Sequence, residues 1–401
     1  MSDINGTMLQ CFHSFSPPSN KLWQSLADRA SQLATVGFTA LWLPPAHTVS
    51  QMDGLDELLS EAWLHPGTPD FGSSAASLRQ YNQGGELAAT VKALQAEQMQ
   101  VYADIVFHGE SGIVRDRLPE WSRWFLEVTG VNGFRLDAAI DLPFEAIAAW
   151  LDSLDRTARD RGLLPGKSLF NFGEYWLGDV GPLRWFLGET KHRLALLDVP
   201  LHYNFHHASR AGDRYDLRQI FRGTLVQECS SRAVTFVDNH HSQPLEIHDS
   251  VVEAWFKPLA YALILLRQGG YPSVFCADYD GAEYEGRGGD GHTYHIVMDS
   301  HQWFIDRLME ARTHYAYGEQ RDYFDESHLV GWTRWGNRDR PKTMAVAMSN
   351  RSGGMKRMDV ARPNAAYRDI TEQVSHLVYS DPSGWGEFVC QPGSVSVWVE
   401  I

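Results

Sequence analysis

The sequence predicts an α/β fold, a (β/α)8 TIM barrel followed by a C-terminal all-β sandwich domain. Three observations predict it. Up to about Arg312, eight short apolar runs of strand character alternate with amphipathic, helix-like stretches. Right-handed strand–helix–strand crossovers close eight such units into a barrel, and no Gly-rich phosphate loop follows the first run to favour an open doubly wound sheet. From about Phe324 the strand-like runs continue with no helices between them. The expected domains are therefore 1–318 for the barrel and 319–401 for the β domain.

The elements follow in order. "TMLQCF" reads as strand one, and Lys21 to Val36 as a helix with Leu22, Leu26, Ala30 and Leu33 on one face. "FTALWLPP" is strand two, stopped by two prolines. A long Gly/Ser/Pro-rich loop leads to a helix over Glu86–Gln98 and to strand three, "QVYADIVF". A helix over Leu118–Val128 precedes "NGFRLDA", strand four; Phe144–Arg159 is helical and "SLFNFGEY" is strand five. Leu183–Glu189 is helical, "LALLDVPL" is strand six and Leu217–Val226 a helix. "AVTFVDN" is strand seven, Val252–Arg267 a helix, "PSVFCAD" strand eight and Trp303–Arg312 the closing helix. "HLVGWTRW", "TMAVAMS", "GWGEFVC" and "SVSVWVE" supply strands of the last domain.

Composition narrows the function. The 401 residues carry a formal net charge of −15, which argues against nucleic acid or an anionic membrane as the main partner. A neutral substrate is compatible with it, and 14 Trp, 15 Tyr and 19 Phe would serve to stack sugars as well as to fill a core. Cys11, Cys229, Cys276 and Cys390 are far apart and fit no ligand spacing. "MSDINGTMLQC" has no basic segment followed by an apolar run, and no later stretch is an 18-residue apolar span, so the expected setting is cytoplasmic.

The chemistry lies at strand ends. Residues i and i+2 share a strand face, so Arg135 and Asp137 in "GFRLDAA" point the same way at the end of strand four. Barrels of this kind keep their reactive groups at the C-terminal ends of their strands. Strand three ends near Asp104, strand five at Glu174 and strand seven at Asp238. Asp137, Glu174 and Asp238 form a set of acids suited to glycoside hydrolysis, in which one carboxylate attacks the anomeric carbon and a protonated one serves the leaving oxygen. Arg135 would hold the nucleophile ionised and oriented. Enolase-like chemistry also uses strand-end acids, but needs a metal site that cannot be assembled from these residues.

These motifs resemble the alpha-amylase family, in particular its bacterial liquefying-type members, over nearly the whole chain. "VYADIVFH", "GFRLDAA", "FGEYW" and "FVDNHHSQP" are similar to its four conserved regions, and "LLDVPLHYNFHHAS" and "WFKPLAYALILLRQGGYPSVF" extend the likeness. The resemblance implies Asp137 as nucleophile, Glu174 as general acid/base and Asp238 as the third carboxylate, which binds sugar hydroxyls. It implies substrate contacts from Arg135, His240 and Trp176, and a structural role for Asp104.

Several positions depart from the family pattern. His108 and Gly109 stand where relatives have Asn-His, a calcium ligand and a sugar contact, and His108 is taken as a candidate sugar contact. Ile140 and Asp141 replace a Lys-His pair, and His241 stands where an Asp is usual. The short connection from His108 to Gly133 leaves no room for the inserted domain that supplies most calcium-binding acids in relatives. The expectation is therefore no cofactor and no metal site, the usual calcium having been lost. The loop Gln51–Gln80 would lean over the cleft, with Trp63, Phe71 and Tyr81 as candidates for a stacking aromatic. The resemblance implies a retaining, endo-acting alpha-1,4-glucan hydrolase acting on starch, glycogen fragments or maltodextrins. A transglycosylase of the same family and a non-catalytic glucan-binding protein are the alternatives.

Overall fold

Eight parallel strands follow one another in order around a closed barrel. They are β1 (Met8–Gln10), β2 (Ala40–Leu43), β3 (Gln100–Ile105), β4 (Gly133–Leu136), β5 (Phe172–Gly173), β6 (Ala195–Leu197), β7 (Ala233–Phe236) and β8 (Tyr271–Phe275). Nearly every strand residue is buried, as expected of parallel strands covered on both faces. This computed structural model describes residues 5–16, 22–45, 86–105, 119, 122–123, 125–137, 139–160, 162 and 169–401. The loop 51–80, with Trp63 and Phe71, and the positions of Tyr81, His108 and Gly109 lie outside the described residues.

The chain divides into two compact units. One comprises Ser16–Leu177 and Gly181–Leu197 and contains β2 to β6. Its register pairs Asp104 with Arg135 and Leu136 with Gly173, which sets three strand ends side by side. The helix Phe144–Asp160 packs Ile147, Trp150, Leu151 and Leu154 inward along one face, the spacing that a 3.6-residue repeat dictates. The single helix expected over Lys21–Val36 is instead two, Leu22–Asp28 and Ala30–Val36.

The other unit comprises Met1–Phe15, Gly178–Val180 and Asp198–Ile401. Here β8 lies between β1 and β7. "LALLDVPL" is only half a strand: β6 stops at Leu197, and a helix the sequence reading missed runs over Val199–Ala211. Asp198 caps that helix and Pro200 sits in its first turn, a helix-start signal that the apolar run concealed. A hairpin of β9 (Ala282–Arg287) and β10 (Thr293–Met298), also unforeseen, precedes the closing helix Gln302–His314.

The same unit ends in antiparallel sheets. A six-stranded sheet has the order β11 (Gln320–Tyr323), β12 (Leu329–Arg334), β13 (Met344–Ser349), β18 (Ser394–Glu400), β15 (Ala366–Asp369) and β16 (Val378–Tyr379). A two-stranded sheet pairs β14 (Gly354–Asp359) with β17 (Trp385–Cys390). Met358, Tyr367, Phe388 and Trp398 share one buried cluster with Ala345 and Ala347. Gly331 on β12 makes the close approach possible, because a Cβ there would lie 2.6 Å from the Met358 sulfur.

Asp198 ties the new helix to its surroundings. Its carboxylate accepts from the backbone N–H groups of Leu201, Leu225 and Val226 at 3.2, 2.9 and 2.7 Å. Burial raises its pKa to about 6 against the opposing pull of those bonds. Asp198→Ala strands two buried donors and a half-buried one and is expected to lower the unfolding free energy by about 3 kcal/mol, whereas Asp198→Asn keeps one acceptor and loses less. Chemical denaturation of the two variants checks the order.

Candidate active site

The first cluster belongs to the unit that contains β2 to β6, and its centre is Arg135. The guanidinium is fully buried, which would be prohibitive without compensation. Three carboxylates supply it. Nη1 donates to Asp104 at 2.9 and 3.2 Å, and Nη2 reaches Glu174 at 2.6 Å and Asp137 at 2.9 Å. Burial alone would lower the Arg135 pKa, but the charges of Asp104, Glu174 and Asp137 outweigh it and hold the group above its ordinary value. Trp42 completes the setting: its indole N–H donates to Asp104 at 3.2 Å and its ring lies 5.2 Å from the guanidinium carbon.

Backbone contacts fix Asp137 and Glu174. Asp137 N donates to Ile105 O at 2.9 Å, Glu174 N to Leu136 O at 2.9 Å, and Ala139 N back to Glu174 O at 3.0 Å. Two glycines permit this packing. A Cβ on Gly133 would lie 1.7 Å from the Phe170 carbonyl oxygen, and one on Gly173 would press on Ala139 at 2.9 Å. The short helical turn Ala139–Asp141 therefore sits directly against β5.

The three acids are not equivalent. Asp104 has no exposed side-chain surface, Glu174 exposes 6% and Asp137 17%. Asp104 thus orients Arg135, while Asp137 and Glu174 remain open to a ligand. A carboxylate oxygen of Asp137 lies within 4.8 Å of one of Glu174. That is close to the separation of about 5–5.5 Å at which one acid attacks an anomeric carbon and the other serves the leaving group. The inverting arrangement requires about 6.5–9.5 Å, to admit a water between acid and sugar. Trp176, two residues beyond Glu174, is half-buried.

The second cluster belongs to the other unit and surrounds Lys257. This lysine opens the helix Lys257–Leu266, is 5% exposed, and ion-pairs with Asp238 at 3.1 Å and with Asp278. Tyr261 donates to Asp278 at 2.7 Å. Burial would lower the Lys257 pKa, but Asp278 and Asp238 raise it. Burial raises the Asp238 pKa, with Lys257 opposing and Asp278 adding to the shift.

Here the structure corrects the sequence reading. The Asp238 side chain has no exposed surface. Ser242 Oγ donates to Oδ1 at 2.9 Å, Lys257 holds Oδ2, and the Val252 N–H is 3.3 Å from both oxygens. The Asp238 carboxylate is thus enclosed by protein groups, unlike the open acid expected at that strand end. His202, which the sequence reading left without a role, packs beside it. Its Nδ1 donates to Val237 O at 2.6 Å and its Nε2 accepts from Ser250 at 2.8 Å. Burial lowers its pKa to about 3, so the ring is neutral.

His240 is buried but polarised. Gln10 Nε2 lies 3.0 Å from its Nδ1 and also donates to Phe12 O at 3.2 Å, which fixes the amide orientation. Nδ1 therefore accepts, and a neutral His240 carries its proton on Nε2. Of the residues the sequence reading passed over, Lys257 had the clearest signal, a lone cation heading the apolar run "FKPLAYALILL".

No family model matches the chain. Among curated proteins it is 31% identical to the glucan 1,4-alpha-maltohexaosidase of Bacillus sp. (strain 707), over 98% of this chain and 92% of that protein. It is also 31% identical to the cytoplasmic alpha-amylase of Escherichia coli (strain K12), over 98% of this chain and 99% of the relative. Both alignments span 499 positions against 401 residues here, so the relatives carry insertions that this chain lacks. A solved Anoxybacillus alpha-amylase shares the fold at a TM-score of 0.71, with 15% identity, over 99% of this chain and 98% of that one.

Removing the shared cation tests the first cluster. Arg135→Met leaves three clustered carboxylates without their guanidinium and is expected to cost about 3–5 kcal/mol of stability. Arg135→Lys keeps the charge but loses the fork that spans Asp104, Asp137 and Glu174, and is expected to lose less. Thermal and urea unfolding of both variants measure the difference.

Proposed function

The chain belongs to the alpha-amylase family of glycoside hydrolases and is an alpha-1,4-glucan hydrolase; on that premise we propose that it works with retention, through a covalent intermediate on Asp137. The observation that supports this is the pairing of Asp137 and Glu174 within 4.8 Å on a single arginine. In the first step an Asp137 oxygen bonds to the anomeric carbon as the glycosidic C–O bond breaks. Glu174 gives its proton to the departing oxygen. In the second, water attacks the same carbon, Glu174 takes a proton from it, and the Asp137 ester bond breaks. Arg135 orients the Asp137 carboxylate for attack and fixes its angle to Glu174.

Endo cleavage of soluble starch, glycogen fragments or maltodextrins suits this chain. The connection between β3 and β4 occupies only residues 106–132, too short for a separate domain beside the cleft, so binding subsites on that side are fewer. We also assign the protein a cytoplasmic setting. The relative from Escherichia coli carries that description, and the four cysteines are free thiols. Among the described residues, no helix is long and apolar enough to cross a membrane. A structural calcium is not part of the proposal, because His108 and Asp141 stand in place of the calcium-related residues the resemblance implies.

Asp137→Asn and Glu174→Gln are each expected to cut kcat by about 1,000-fold or more on maltodextrin, with folding retained. Proton NMR of the first products should show the α-anomer, and initial release of the β-anomer would contradict retention. Transfer products outweighing reducing ends would favour a transglycosylase. Saturating chelator is expected to leave melting temperature and activity unchanged, and a fall in either would reveal a bound metal.

A further inference from the structure

Strands β2 to β5 lie side by side in one unit, and their register arranges the first cluster in tiers. Asp104, Arg135 and Phe172 are register partners and form a row across β3, β4 and β5. Asp137 and Glu174 follow two residues after Arg135 and Phe172, one tier nearer the strands' C-terminal ends. Trp42 pairs with Tyr102, two residues before Asp104, and so stands one tier nearer the N-terminal ends. Its strand, β2, contributes none of the charged groups of the cluster, and Trp42 is fully buried.

From below the row, Trp42 reaches each of its members. The indole N–H donates to Asp104 Oδ2 at 3.2 Å, and the Arg135 guanidinium carbon lies over the ring at 5.2 Å. The ring also stands perpendicular to that of Phe172, with centroids 5.4 Å apart. These contacts matter because the guanidinium is held by its ends. Among the described residues, Arg135 Nε has no hydrogen-bond partner. Nη1 rests on Asp104, and Nη2 on Asp137 and Glu174. The angle of the plane is therefore set from the Asp104 side and by the ring beneath. A guanidinium is rigid, so a tilt at Nη1 reappears at Nη2.

We propose that Trp42 is a positioning residue for hydrolysis: by fixing Asp104 and the plane of Arg135, it sets Asp137 and Glu174 relative to each other without touching the sugar. This rests on the reading of Asp137 and Glu174 as the reacting pair and extends it two tiers down the barrel. The N–H steadies the Asp104 carboxylate, both oxygens of which accept from Arg135, and the ring face favours a cation over it. An apolar ring would also fill the space, but it offers Asp104 no donor. A displacement of reacting groups by about 1 Å costs roughly 100-fold in rate, so a tilt of a few tenths of an ångström at Nη2 corresponds to about tenfold.

The test replaces Trp42 site-specifically with 3-benzothienylalanine, which keeps the shape of the indole and puts sulfur in place of the N–H. Maltodextrin hydrolysis is measured at a temperature where circular dichroism shows each variant fully folded. The isostere is expected to lower kcat by about tenfold with KM within about twofold of the unsubstituted enzyme. Trp42→Phe should lose at least as much, and Trp42→Leu, which also removes the aromatic face, more. In an Asp104→Ala background the isostere should cost no more than about twofold, because the relay is already cut. Arg135→Lys supplies that background if Asp104→Ala does not fold. An isostere with undiminished kcat would reduce Trp42 to packing and overturn the proposal. A raised KM at constant kcat would overturn it too, as would a loss that is equally large in both backgrounds. Activity surviving in Asp137→Asn would instead overturn the reading of the reacting pair, whatever the Trp42 variants do.

Discussion

The structure depends first on one ionic arrangement, the fully buried Arg135 shared among Asp104, Glu174 and Asp137. A guanidinium in a barrel interior needs anions around it, and three acids that close together need a cation. Each requirement satisfies the other. Because the guanidinium is planar and forked, it fixes angles as well as charge, and a lysine would not. The cluster therefore binds β3, β4 and β5 into one frame while leaving Asp137 and Glu174 open to a ligand.

A second buried cation, Lys257, gathers Asp238 and Asp278 in the other unit, and the contrast between the two clusters is informative. In the first, part of the carboxylate surface is exposed; in the second, neither acid side chain has any. The same device thus leaves acids accessible in one place and encloses them in the other. Exposure, rather than charge or strand-end position, separates the acids a ligand can reach from those it cannot.

That distinction explains what could be read beforehand. The alternation of apolar runs was enough for eight barrel strands and four of the later β strands. It failed at "LALLDVPL", where an unbroken apolar run hid the capping Asp198 and the helix behind it. Short elements such as β11, β15 and β16 have too few residues to set up a period. The convergence of Arg135, Asp137 and Glu174 was legible because i, i+2 spacing and strand ends fix their direction. The enclosure of Asp238 was not legible, because sequence gives the end of the strand but not the partner that waits there. Lys257 lies nineteen positions further on, and only folding brings the two together.

The central claim is that Asp137, oriented by Arg135, forms the covalent bond to the sugar. The most direct measurement is mass spectrometry of peptides from the Glu174→Gln enzyme after reaction with a fluorinated α-glucosyl fluoride, which forms the intermediate but resists its hydrolysis. A glycosylated peptide with the sugar on Asp137 is the predicted result. A sugar carried by any other residue, or full conversion to inverted product with no adduct, would contradict the account.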